Sequence, residues 1–188
     1  MDQERLLCGK ETGYSSPVVT VKSSSEFVYY CCLANGHLVL MDTRCKEVLH
    51  PFSSTITPES TFVNMTVLNN SHRAIGQLTG HVMVVDPRVF KAHRSFEMPS
   101  FLSSLQAHPI LPVMAASSLR SEITICNLEG SVLQSIQTRG GFRAASLGHV
   151  KSVVYHPLDN CIATYNSDGI VSVYKSSVYY NKVYTISH

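Results

Sequence analysis

Nine histidines and six cysteines are the side chains of this 188-residue chain that could ligate a metal, carry a proton or attack an electrophile. Zinc chemistry needs such residues clustered, because several ligands must converge on one ion, and the usual marks are C-x-x-C pairs and closely spaced histidines. Neither spacing occurs. Cys8, Cys31, Cys32, Cys45, Cys126 and Cys161 contain no C-x-x-C, and Cys31 and Cys32, as neighbours, would leave a strand on opposite faces. There is no G-x-S-x-G nucleophile elbow, and Gly140-Gly141 lacks the strand before and the helix after that a phosphate loop requires. Five histidines recur in matched places instead: His37 and His81 follow turn glycines, His108 and His156 precede prolines, and His149 follows Gly148. That equivalence assigns them to architecture, so the chain reads as non-catalytic, without a cofactor or metal site, and with reduced thiols.

The elements that place these residues show themselves as repeats. Gly36-His-Leu-Val-Leu-Met-Asp-Thr-Arg44 returns 44 residues later as Gly80-His-Val-Met-Val-Val-Asp-Pro-Arg88, and the two His-Pro pairs stand 48 residues apart. A period of roughly 40 to 45 residues, with several short strands in each unit, marks a β-propeller blade. The β-rich runs fall into four such units of four strands. Asn35-Gly36, Gly80 and Asp168-Gly169 supply the turns, since glycine accepts positive φ and asparagine or aspartate tolerates it. Runs such as Val82-Met-Val-Val85 are apolar at successive positions, as a strand buried on both faces would be. Helical patterns are almost absent, with at most a turn or two over Asp2–Leu7 or Pro87–His93.

The expected organisation is a lead-in over 1–16, propeller blades over 17–176 and an outer strand or tail over 177–188. The blades divide at about 17–56, 57–99, 100–140 and 141–188. Four blades can in principle close a ring. With 44% hydrophobic and 15% charged residues the chain should fold, and its net charge of +2, spread without a basic run, marks no nucleic-acid or anionic membrane surface. No run approaches the roughly 20 apolar residues of a bilayer span and no signal peptide opens the chain, so it reads as cytoplasmic. A two-layer β-sandwich, secreted or enzymatic, would show similar apolar runs and remains the structural rival. It differs in predicting two stacked sheets and a disulfide.

The last unit carries Gly148-His149, Val150-x-x-Val153, His156-Pro157, Ile162-Ala-Thr164, Asp168-Gly169 and Val171-Ser-Val-Tyr174. It resembles a WD repeat. The resemblance implies a buried hydrogen-bonded chain through His149, Thr164, Asp168 and Tyr174, with tyrosine where such repeats place tryptophan, Asp168 accepting from the imidazole and the other ring nitrogen meeting the Thr164 hydroxyl. Taken in order, Asp86-Pro-Arg88, Leu105-Gln-Ala-His-Pro109, Asn127-Leu-Glu-Gly130, Gly141-Phe142 and the closing WD unit are similar to the C-terminal propeller of the Raptor family. The resemblance is to a propeller of more blades and implies that this array is part of a larger one. Raptor proteins are scaffold subunits of TOR complex 1. The resemblance therefore implies a non-catalytic scaffold with protein partners, the TOR kinase complex among them, and nutrient-dependent growth signalling. A WD-repeat adaptor in another assembly, such as ubiquitin ligation or vesicle traffic, is the functional alternative.

Overall fold

The computed structural model describes residues 15–23, 25–35, 37–45, 48–52, 61–69, 72–86, 91–138, 148–176 and 181–186. Its strands form four sheets of four. The first sheet holds β1 (Val18–Ser23), β2 (Val28–Leu33), β3 (Leu38–Asp42) and β4 (Val48–Phe52). The second holds β5 (Phe62–Asn69), β6 (His72–Gln77), β7 (His81–Asp86) and β8 (Lys91–Glu97). The third holds β9 (Leu102–Ala107), β10 (Val113–Ser118), β11 (Glu122–Asn127) and β12 (Val132–Gln137). The fourth holds β13 (Val150–Tyr155), β14 (Cys161–Asn166), β15 (Val171–Ser176) and β16 (Asn181–Ile186).

Within each sheet, strand order follows chain order and every pair is antiparallel, as short connections dictate. No helix occurs among the described residues. Lys91, Ala92 and His93, expected at the end of a helical turn, lie in β8 instead, where Ala92 faces Val85 and Lys91 faces Asp86. Ladder pairing with β7 outweighs a weak local preference there.

The first strand of each sheet is its inner one. β1 lies against β5, β5 against β9 and β9 against β13, so the sheets stand side by side in sequence like blades. This stacking explains the successive apolar residues. In β6 and β7, Ile75, Met83 and Val85 join Tyr30, Cys32 and Phe62 of the layer toward the first sheet. Their neighbours Ala74 and Val82 join Leu102, Met114 and Cys126 of the layer toward the third. Alternate side chains of one strand thus feed two cores, and each large aliphatic side chain fully buried this way contributes about 1.5–3 kcal/mol. Cys31 and Cys32 separate as expected, Cys32 into the layer toward the second sheet and Cys31 into a cluster with Leu33 and Val39 on the opposite face.

Where sheets approach most closely, side chains must be small. A methyl group on Gly76 would lie 3.1 Å from Leu102 Cδ1 and 3.3 Å from Leu105 Cδ2. Polar inner-strand residues stitch the sheets together. Thr66 Oγ1 accepts from the Ala107 amide at 2.9 Å, and Asn64 Nδ2 donates to the Leu105 carbonyl at 3.1 Å. The Asn64 Oδ1 faces the Thr20 hydroxyl of the first sheet at 3.5 Å, so one amide links three sheets. Ser103 Oγ donates to the Val150 carbonyl of the fourth sheet.

Candidate functional site

The turns at the ends of the sheets are built from a small set of local hydrogen bonds. Asn166 Oδ1 accepts from the amides of Asp168 (3.1 Å) and Ile170 (2.9 Å), while its own amide donates to the Ile170 carbonyl. Asn127 does the same with Glu129 (3.1 Å) and Ser131 (2.8 Å). Each turn then needs a left-handed residue, and Gly130 and Gly169 take it with φ of 90° and 79°. Gly80 follows suit at φ 101°, whereas in the third sheet Ser121 adopts φ 61° in the matching place. Gly36, the remaining expected turn glycine, lies outside the described residues.

At the β9–β10 and β13–β14 connections, the two His-Pro corners match in detail. His108 Nδ1 accepts from the amides of Ile110 and Leu111 (3.1 and 3.0 Å), and His156 Nδ1 accepts from Leu158 and Asp159 (3.2 and 2.9 Å). The backbone amides of both histidines donate across the corner at 2.9 Å, to Val113 and Cys161. These imidazoles therefore act as turn caps. The surroundings differ: His108 is buried, and burial pushes its pKa below the ordinary 6.5, while His156 is exposed.

The four residues expected to form a WD-type chain are distributed as follows. Thr164 is buried between the third and fourth sheets, and the Tyr174 hydroxyl shares hydrogen bonds with Ser172 and Thr164. Burial pushes the Tyr174 phenol pKa up and those two bonds pull it back in part. Asp168 sits at the surface, its carboxylate accepting from the Gly148 amide and the Ser167 hydroxyl. His149 is exposed as well, and the chain joins it to the turn through its carbonyl, which accepts from the Ser167 amide at 2.9 Å. So the structure brings Thr164 to Tyr174 and Asp168 to Gly148, and leaves the His149 imidazole apart from both pairs. Both His149 and Asp168 lie at the surface, where water can meet the imidazole and the carboxylate's remaining acceptor positions.

Asn166 and Ser172, which hold this turn and this polar trio, escaped the sequence reading. The pattern Asn-x-x-Gly, present at both 127–130 and 166–169, is the signal that marks the first; nothing local marks Ser172.

The same end of the array presents apolar side chains to solvent. Leu78, Phe101 and Leu119 are 40%, 49% and 37% exposed, and backbone bonds from Leu102 to Leu78 and from Leu119 to Phe101 place them in adjoining turns. Beside them stand Arg120, His149 and Asp168. No group of three or more potential metal ligands occurs among the described residues, and no helix there is long and apolar enough to cross a membrane. The arrangement can bind by shape and burial, with exposed apolar groups on rigid turns.

No family model matches the chain. A Raptor homologue of Dictyostelium discoideum is 24% identical over 144 residues, 75% of this chain and 10% of the relative. Among solved structures, Raptor of Chaetomium thermophilum superposes with a TM-score of 0.75 at 14% identity, covering 88% of this chain and 16% of that one. The WD-repeat propeller domain of Doa1 superposes with a TM-score of 0.73 at 18% identity, covering 88% of this chain and 53% of that one. The chain thus spans about a tenth of the length of the curated relative it matches. Four antiparallel sheets standing side by side, with the inner strand of each packed against the next, give the chain the fold of part of a β-propeller, and its sequence is similar to a stretch of a Raptor homologue.

Proposed function

We propose that this chain is a non-catalytic scaffold segment that supports the assembly of TOR complex 1 in the cytoplasm and, through the kinase of that complex, nutrient-dependent growth control. The observation that carries the proposal is the similarity to a Raptor homologue across 75% of the chain. The fold alone would fit many WD-repeat adaptors. The mechanism is rigid presentation: stacked sheets fix the turns, and the turns offer Leu78, Phe101 and Leu119 to a protein partner, with no nucleic acid, lipid or small substrate involved. In this reading residues 17–176 are the blades, with 1–16 a lead-in and 177–188 an outer strand or tail. Thr164, Asp168, His149 and Tyr174 serve the closing blade structurally, and Gly36, Gly80 and Gly169 serve turns of the first, second and closing blades.

Affinity purification of the tagged chain from cells tests this. TOR kinase should co-purify, and Phe101→Lys combined with Leu119→Lys should reduce its recovery at least several-fold while leaving the thermal midpoint unchanged. Recovery of cullin adaptors or coat subunits in place of TOR kinase refutes the assignment.

A further inference from the structure

Between the third and fourth sheets, toward their outer strands, lies a cleft of about 530 Å³. That volume is in the range of built binding sites, about 300–1,000 Å³. Much of its wall is apolar: Ile125, Leu133 and Ile136 come from the third sheet, Ile162 and Tyr174 from the fourth. Lys175 is the sole Lys, Arg, Asp or Glu among the described lining residues, and it faces Asp159 at 3.9 Å.

Two features say what fits there. The first is the wall made by β12, where the five consecutive residues 133–137 all line the cleft. Successive side chains of a strand leave opposite faces, so a wall of consecutive residues is the strand's edge. β12 is the outer strand of its sheet, and its outward N–H and C=O groups face no further strand of that sheet. Leu133 is moreover the extra residue of a bulge, since Ile125 pairs with Gln134 and Cys126 with Val132, and a bulge re-aims a side chain in this way.

The second feature is unused hydrogen-bonding capacity at the floor. His108 is 5% exposed and its Nδ1 is an acceptor for two amides, so the proton sits on Nε2, which has no partner. The buried Tyr155 hydroxyl has none either, and the two rings meet edge to face at 4.8 Å. Polar atoms buried without partners mark a place where one is missing.

We propose that this cleft receives an extended, uncharged segment of a partner protein. The segment adds a fifth strand along β12 and seats one bulky apolar side chain between Leu133, Ile136 and Tyr174. A carbonyl of the segment enters where the His108–Tyr155 ring contact is and accepts hydrogen bonds from the His108 Nε2–H and the Tyr155 hydroxyl. A free small molecule would use the walls and not the strand edge. The proposal deepens the scaffold reading and rests on it, since it names the chemistry of one partner.

The test is selection of a displayed random-peptide library on the full chain, followed by anisotropy titration of one enriched synthetic peptide. Uncharged peptides with a recurrent large apolar residue should emerge. Leu133→Lys, at an exposed position, should weaken the chosen peptide at least tenfold. Tyr155→Phe should weaken it several-fold while leaving the thermal midpoint equal or higher, which a merely structural role of the hydroxyl would not do. Methylating alternate peptide amides should abolish binding. The proposal is overturned by a selection without enrichment, by enriched peptides that bind Leu133→Lys as well as the parent, or by indifference to amide methylation. Failure here with TOR kinase still co-purifying removes the cleft alone, whereas a working cleft without that kinase removes the complex assignment and keeps the site.

Discussion

His108 and His156 hold the same corner with the same ring nitrogen, and burial alone separates them. The consequence is a pH dependence with a definite sign. His108 has a folded pKa depressed by desolvation, so at pH above about 6.5 it is neutral in both states and adds no slope. As pH falls below that value the unfolded chain takes a proton that the folded chain refuses, and stability is lost until the folded pKa is also passed. Denaturant midpoints followed from pH ~8 to ~5 should therefore fall on the acid side, and His108→Asn, which keeps an acceptor for the two amides, should flatten part of that limb. The same change at exposed His156 is the control. Both corners could be recognised in the sequence because a histidine before proline recurs at one spacing. Their difference could not, because burial of His108 depends on Tyr155, a residue of another sheet.

At the level of elements, stitching between inner strands matters as much as the ladders within sheets. Thr66 and Ala107 are both buried, and the Thr66 hydroxyl is the acceptor for the Ala107 amide. Thr66→Val keeps the shape and strands that amide, which should lower stability by about 1–3 kcal/mol in urea unfolding. Thr66→Ser should retain most of it. Strand positions were largely legible, since β-branched and aromatic runs punctuated by glycine and asparagine are local signals; Val150–Tyr155 of β13 is the plainest case. Ser121 was not legible as a left-handed turn residue, because nothing in its type announces φ 61°. The cleft was invisible for a different reason. It arises from how two sheets diverge, and no single segment encodes that spacing.

For the molecule as a whole, the fourth sheet has one face packed and one bare. Val153, Ile162 and Tyr174 turn toward the third sheet, and their neighbours Val154, Tyr165 and Val171 are 50%, 47% and 44% exposed on the other side. Apolar side chains exposed on a sheet face invite association. Val154→Lys with Val171→Lys should reduce concentration-dependent light scattering while shifting the thermal midpoint little, because both positions are half open already. Unchanged scattering would place the sticky surface elsewhere, with the exposed turn residues next in line.

The Asn-x-x-Gly turn closes different hairpins in two sheets, between β11 and β12 at Asn127 and between β14 and β15 at Asn166. It is held mainly by the side chain of the last residue of the strand that enters it. A loop of that sort is portable. A gene duplicating one module would inherit working closures with it, and an array could lengthen by whole copies without inventing new connections.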